Sequence, residues 1–387
     1  MDSPGIYIHI PFCISKCNYC DFASLGRDRW DESMMDGYVE CLCREIRQSS
    51  HQMNPRGVIP DTIHLGGGTP SLLGPRRVSR VLDALLETFG LENGGEITLE
   101  INPATSWEQD LADYRRTGVN RVSIGVQSFD DGLLSLLGRC HNAETATKTL
   151  TSACEIFPSV SIDLMYAIPG QSSGQWQRDL LYALSFPVNH ISAYELTPES
   201  GTPTGDAIFS GVLSIPEEEE TEAMYFDAGR ILEEAGFCRY EVSNYCREDG
   251  HSRHNVKYWK GIPVLGFGSS ASSHGGMWRW ANVGDPVEYI QRIRKGMNPM
   301  AFGERLSTAR RTGEFMMLGL RMSRGVSARR FYELFQRDMM EYYREEIREL
   351  QQDGLLHMKQ DETETRVYIP GDRILLQGYV AGKFLPC

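Results

Sequence analysis

At 387 residues and 41% hydrophobic composition, the chain is long enough to bury a large core, and its length suits one large domain with a smaller one beside it. A formal charge of -13 and a pI near 5.3 exclude a surface built mainly to neutralise phosphates, so nucleic acid is not expected as a partner. No run approaches the roughly 18 to 20 apolar residues of a bilayer span, and the opening Met1-Asp2-Ser3-Pro4 is not a basic region followed by an apolar one; no integral membrane segment and a cytoplasmic setting are expected.

The N-terminal two thirds alternates short β-rich runs with stretches of helical period. The candidate strands are Ile6 to Ile10, Thr62 to Leu65, Ile97 to Ile101, Arg121 to Val126, Val160 to Met165 and His190 to Leu196. Between them lie helical patterns such as Val78 to Phe89, with Val81, Leu82, Leu85, Leu86 and Phe89 on one side. Strand-helix units in this number predict an α/β fold, a partial (β/α)6 barrel built on a parallel sheet. Pro198 to Pro216, rich in Gly, Pro, Ser and Thr, reads as a long loop before a helix Glu217 to Ala235. The acidic start of that helix, Glu217 to Glu220, suits the positive end of the helix dipole better than a metal. From about Met300 the pattern turns helical, with Thr312 to Met322 and Ala328 to Asp353, then a short strand Arg366 to Ile369 and a last helix. The expected division is a barrel core over 1–240, a connecting segment over 241–299, and a small, mostly helical C-terminal domain over 300–387.

In such sheets the loops leaving the C-terminal strand ends build the active site, because helix N-termini and backbone N–H groups converge there. The unusual residues fall in those loops. Cys13, Cys17 and Cys20 follow the first strand and Gly66-Gly67-Gly68-Thr69-Pro70 the second, while Glu100-Ile101-Asn102-Pro103 ends the third. Gln127 ends the fourth strand and Asp163 lies near the end of the fifth. The other cysteines, Cys41, Cys43, Cys140, Cys154, Cys238, Cys246 and Cys387, are scattered and read as small apolar residues. The tight set has the spacing C-x3-C-x2-C. Four thiolates would saturate the irons of a [4Fe-4S] cubane, so three leave one iron for an outside ligand. A structural zinc site would pair a second ligand unit with the first, and none is obvious near this loop.

Tyr7-Ile8-His9-Ile10-Pro11-Phe12-Cys13, running into Cys17-Asn18-Tyr19-Cys20-Asp21-Phe22, closely resembles the radical S-adenosylmethionine superfamily. Gly66 to Leu73, Asn120 to Phe129, and Asp163-Leu164-Met165-Tyr166 with Pro169-Gly170-Gln171 are similar to its coproporphyrinogen III dehydrogenase-like branch, most of all to HemW-type haem chaperones. The resemblance implies a radical SAM barrel in which S-adenosylmethionine chelates the open iron, and in which an electron from the cluster cleaves it to a 5′-deoxyadenosyl radical. The cofactor-binding residues it implies are Tyr7, Tyr19, Phe22, Gly67, Gly68, Thr69, Glu100, Gln127, Arg139, Asp163 and His254, with Cys13, Cys17 and Cys20 holding the cluster. Gly67 and Gly68 let backbone approach the methionyl part and Thr69 adds a hydroxyl. Glu100, Gln127 and Asp163 offer acceptors to ribose hydroxyls or ammonium, and Arg139 pairs with the carboxylate. Tyr7 and Tyr19 match aromatic neighbours of the cofactor.

True coproporphyrinogen dehydrogenases of this branch carry an extra cysteine where Phe22 stands, and an N-terminal arm for which the first strand leaves no room. His254-Asn255-Val256-Lys257-Tyr258-Trp259 resembles the HNxxYW motif of HemW-type proteins and some methyltransferases. The resemblance makes His254 the candidate haem iron ligand, in a segment read as loop, with Tyr258 and Trp259 available to a flat macrocycle. A hydrogen-bonded structural histidine is the alternative, and His251 and Cys246 are alternative ligands. Gly266-Phe267-Gly268-Ser269-Ser270 departs from the family's usual turn. Met316 and Met317 suit core packing before a haem face. The implied function is a haem carrier that passes haem to an acceptor protein, with an electron donor as a further partner. The alternative is a radical enzyme, a methyltransferase or hydrogen-abstracting oxidoreductase, acting on an unidentified substrate.

Overall fold

Alternation of apolar and polar residues along the candidate strands requires a sheet with two unlike faces. The computed structural model, which describes residues 2–53, 57–360 and 364–386, has that sheet; Cys387 lies outside the described residues. The six expected strands form as β1 (Gly5–Ile10), β2 (Thr62–Gly67), β3 (Glu96–Ile101), β4 (Arg121–Gln127), β5 (Ser159–Tyr166) and β6 (His190–Glu195). Each pairs in parallel with the next. Helices such as Glu32–Met53, Gly74–Phe89, Ala143–Ile156 and Ser173–Ala183 run between them. Ile6, Ile8, Ile10, Ile63, Leu65, Ile97, Leu99, Val122, Ile124, Val160, Ile162 and Ile191 belong with these helices to one continuous buried core. The alternate positions carry Tyr7, His9, Thr62, His64, Thr98, Glu100, Ser123, Ser161, Asp163 and His190. They face the inside of an α/β partial barrel, where a closed barrel would stack aliphatic layers.

The sheet extends beyond the six strands. On one flank β7 (Cys238–Arg239) and β8 (Asn244–Cys246) add antiparallel to β6. On the other, β9 (Val264–Phe267) pairs in parallel with β1, and β10 (Ser272–Gly275), β11 (Trp278–Asn282) and β12 (Met300–Arg305) continue antiparallel. Residues 241–299 are thus woven into the same 12-stranded sheet.

Three local expectations are corrected. The stretch 198–216 contains a helix, Pro203–Phe209, started by Thr202, whose hydroxyl accepts from Gly205 N at 3.1 Å, and by Pro203 in the first turn. The long helix expected over Ala328 to Asp353 is three helices, Ala328–Phe335, Met339–Tyr342 and Arg344–Gln352. The first ends where Gln336 turns left-handed at φ 53°, and Asp338 caps the second by accepting from Met340 N and Glu341 N. The HNxxYW segment is also helical, Arg253–Trp259. Ser252 caps it through Asn255 N, and the Glu96 carboxylate accepts from Arg253 N and His254 N. The C-terminal region packs its helices on a three-stranded sheet, with Met316 wholly inside the core. Among the described residues, no helix is long and apolar enough to cross a membrane.

The unusual turn after β9 is held by buried polar contacts. Gly268 N donates to Glu45 Oε2 at 2.9 Å, Asn282 Nδ2 donates to the Gly268 carbonyl at 2.9 Å, and Ser269 N donates to Tyr38 Oη at 2.8 Å. Burial pushes the Glu45 carboxyl up to about 7. Gly268 has φ +97°, and a Cβ there would lie 2.5 Å from Tyr38 Oη and 2.6 Å from the His9 carbonyl. Gly268→Ala is therefore expected to lower unfolding free energy by about 1–3 kcal/mol, read as a lower urea midpoint at unchanged slope.

Candidate functional site

The C-terminal ends of β1 to β6 open onto a cavity of about 380 Å³. Its wall includes Cys13, Cys17, Cys20, Tyr19, Phe22, Gly67, Gly68, Thr69, Glu100, Gln127, Arg139 and Asp163. Eleven of these twelve come from four strand ends, those of β2 to β5, and the cysteine loop after β1; Arg139 comes from the segment after the short helix Asp131–Leu136. Of the sequence-predicted residues, Tyr7 and His254 are not in the wall.

The cysteine loop is fastened at both ends. Cys13 N donates to the Leu25 carbonyl at 2.9 Å, and the Trp30 indole N–H donates to the Cys13 carbonyl at 2.9 Å. Asn18 reaches across the mouth, its backbone N–H donating to the Leu137 carbonyl at 3.0 Å and its amide to the Leu136 carbonyl at 2.9 Å. Two donors already point at the thiols: Thr69 Oγ1 lies 3.5 Å from Cys13 Sγ, and Arg139 Nη1 lies 3.4 Å from Cys17 Sγ. Burial raises the Cys13 thiol, and pushes that of Cys20 up to about 11. A coordinating metal reverses this by holding the thiolate outright.

The glycines have a packing reason that sequence reasoning missed. Gly67 has φ +112°, and a Cβ there would strike the His9 ring at 2.7 Å. At Gly68 a Cβ would lie 2.8 Å from the Phe12 carbonyl and 3.0 Å from Cys13 Sγ. These residues let β2 close against the cysteine loop, besides leaving the mouth open. His9 was also missed: its Nδ1 bonds Tyr7 Oη at 3.1 Å and its Nε2 bonds the Ala23 carbonyl at 2.9 Å, tying the far side of the loop to β1. Burial lowers the His9 ring pKa below its ordinary value.

The polar wall is partnered below the mouth. Glu100 accepts from Gly67 N at 3.2 Å through Oε2, while Oε1 lies 2.9 Å from His64 Nε2. Ser123 donates to Asp163 at 3.0 Å, and burial pushes the Asp163 carboxyl up to about 6 against the pull of bonds from Ser192 and Ser123. Gln127 ends β4 in the left-handed region at φ 71° and accepts from Tyr194 Oη. Arg139 donates from Nη2 to the Gly125 carbonyl at 2.6 Å, but its buried Nε has no partner among the described residues. Phe22, 63% exposed, forms an apolar lip. Tyr194, Ser123 and His64 were readable as inward positions of β6, β4 and β2, from their period of two.

His254 sits at the opposite end of the barrel, 1% exposed, where its helix crosses the starts of β1, β2 and β3. Its Nδ1 bonds Thr62 Oγ1 at 3.0 Å and its Nε2 lies 3.3 Å from Tyr258 Oη. The open imidazole expected of a haem ligand is not presented in this conformation, because the segment is a capped, buried helix and not a loop. His251 and Cys246 lie outside the mouth as well.

The donor set fits a cluster with an attached cofactor. Among the described residues no three His, Cys, Asp or Glu side chains are grouped to hold a single ion. Thiolates spread around one cavity suit a polynuclear cluster, whose irons take a thiolate each. The unpaired Arg139 N–H suits an anionic ligand group.

The parallel partial barrel and its three-cysteine mouth define a member of the radical S-adenosylmethionine superfamily, whose family profile matches residues 7–183. The HemN C-terminal domain profile matches residues 306–362. A Heme chaperone HemW of Bacillus subtilis is 32% identical over 383 residues, covering 98% of each chain. Another, from Synechocystis, is 37% identical over 332 residues, 83% of this chain and 78% of the relative. The chain belongs to the HemW family. The solved coproporphyrinogen III oxidase HemN of Escherichia coli shares the fold, with a TM-score of 0.83 at 23% identity over 99% of this chain and 90% of that one.

Gly68→Ala is expected to disturb the cysteine loop without unfolding the barrel: anaerobic iron and sulfide content per chain should fall by about half or more, with far-ultraviolet circular dichroism unchanged. Wild-type loading in that variant would refute the packing role of Gly68.

Proposed function

We propose that the chain holds a [4Fe-4S] cluster through Cys13, Cys17 and Cys20, binds S-adenosylmethionine beside it, and carries haem to an acceptor protein. The observation that carries the first two parts is the convergence of the three cysteines with Gly67, Thr69, Glu100, Gln127, Arg139 and Asp163 on one cavity. The names of the HemW relatives support the third part. A bound cluster and cofactor supply one-electron chemistry that no side chain offers.

This chain's residues do the positioning. Arg139 stands beside Cys17 with an N–H to spare for a carboxylate. Glu100, fixed at both oxygens, and Asp163, on the facing strand ends, offer acceptors to an ammonium or to ribose hydroxyls. Gln127 has its carbonyl oxygen committed to Tyr194, which leaves its amide N–H groups for the ligand. Phe22 and Tyr19 limit water at the rim. Haem binding is not assigned to His254 here, since both its nitrogens are already engaged.

The complete polar wall also supports a second reading, in which the same mouth serves a radical enzyme acting on an unidentified substrate. The two separate in an anaerobic haem titration of cluster-loaded protein followed by Soret absorbance. Saturable binding near one haem per chain is expected of a carrier, and no specific binding would favour the enzyme. Replacement of Cys13, Cys17 or Cys20 by Ala should abolish normal cluster loading; iron and sulfide at wild-type levels would sink the cluster assignment. Asp163→Asn should weaken S-adenosylmethionine binding about tenfold, the worth of one hydrogen bond to a charged group, with cluster content unchanged.

A further inference from the structure

We infer that His254 is a positioning residue for the cofactor pocket, acting through His64 on Glu100. The inference rests on the reading of Glu100 as a cofactor contact. Glu100, 38% exposed at the side chain, is held at both oxygens, by Gly67 N and His64 Nε2. The direction of the His64 ring therefore sets where the Glu100 carboxylate points.

Hydrogen bonding alone does not fix that ring. The buried His64 Nδ1 has no partner among the described residues, so Glu100 is its only polar anchor. A ring with one anchor is free to turn about it unless its faces are blocked. Two neighbours limit that turning from one side, for Tyr7 and His254 lie 6.5 Å from each other and so pack on adjoining parts of the His64 ring. The His254 ring lies at a centroid distance of 5.0 Å and 26° from His64, and the Tyr7 ring at 6.0 Å and 25°. Tyr7 is in turn fixed by His9, and His254 by Thr62 and Tyr258.

His254 is the better fixed of the two. Its backbone N–H is bound by Glu96 at 3.1 Å, and Lys257 of the same helix donates to the Ser3 carbonyl at 2.7 Å and pairs with Asp61 at 2.5 Å. The helix is thereby bolted to the residues leading into β1 and β2 and to the first residue of β3, and the imidazole is a rigid wall against which His64 rests. The His-Asn-x-x-Tyr-Trp motif thus acquires a role at the far end of the cofactor pocket, through one intervening ring.

The test uses anaerobically loaded full-length protein and S-adenosylmethionine itself, with affinity by equilibrium titration and the electron paramagnetic resonance of the reduced cluster before and after addition. His254→Ala removes the wall and is expected to weaken affinity about fivefold at wild-type iron content. His254→Phe restores a flat ring without a ligating nitrogen and is expected to return affinity to within about twofold of wild type. The double variant with His64→Leu should bind no more weakly than His64→Leu alone, because both act through one contact. Unchanged affinity in His254→Ala overturns the inference, and so does an equal loss in His254→Ala and His254→Phe. Should His254→Ala fail to load a cluster, His64→Phe decides: it keeps the stack, loses the bond to Glu100, and wild-type affinity there overturns the inference. If the loaded wild type binds no S-adenosylmethionine, the cofactor reading itself falls and takes the inference with it. Loss of saturable haem binding in His254→Phe, with normal S-adenosylmethionine affinity in His254→Ala, would return His254 to haem ligation and overturn the positioning role.

Discussion

The structure depends on pairing the inward polar side chains of the parallel sheet, which it does for most of them, Thr98 Oγ1 and His64 Nδ1 being exceptions among the described residues. A barrel interior excludes most water, and an unsatisfied polar group there costs about 1–3 kcal/mol. The chain meets the constraint with bonds between adjacent strands: His64 to Glu100 from β2 to β3, Ser123 to Asp163 from β4 to β5, and Ser161 to His190 from β5 to β6. Each bond also fixes the height of a side chain along the barrel axis. At the mouth the network meets a group whose partners are incomplete, Arg139 from the segment after the helix Asp131–Leu136, so the site is the open end of the network that fills the barrel.

The cysteine loop is the second element that must be placed, and it has little regular structure of its own. It is positioned by contacts from distant parts of the chain: Trp30 and Leu25 at Cys13, Leu136 and Leu137 at Asn18, and His9 at Ala23. Gly67 and Gly68 are the steric counterpart of those bonds, since side chains there would push β2 off the loop. This explains how an irregular segment, with three thiols to bring together, is preorganised before any metal arrives.

Much of this was legible in the sequence. The six strands appear within a few residues of their expected bounds, because alternating aliphatic and polar residues with intervening helical period leave few other folds. The cysteine triad and the wall residues were legible because their motifs are long. Less legible were features that depend on contacts between distant residues. The helix Pro203–Phe209 was hidden by Gly, Pro and Thr, which here serve as cap and first turn. The break at Gln336 needs a left-handed residue that composition does not announce. The depth of His254 could not be read either, because it depends on Glu96, some 158 residues away, capping the helix that carries it.

That buried position has an energetic consequence for any haem chemistry at the motif. Turning His254 outward would strip Thr62 and Tyr258 of their ring contacts, unstack His64, and disturb the two backbone N–H groups that Glu96 holds. Each buried group left unpaired costs about 1–3 kcal/mol, so the opening requires several kcal/mol before an iron–nitrogen bond returns any of it. The same opening would release the His64 ring that orients Glu100. If His254 positions Glu100 as inferred, turning it outward to an iron and keeping the wall of the mouth in place are opposed arrangements of one chain.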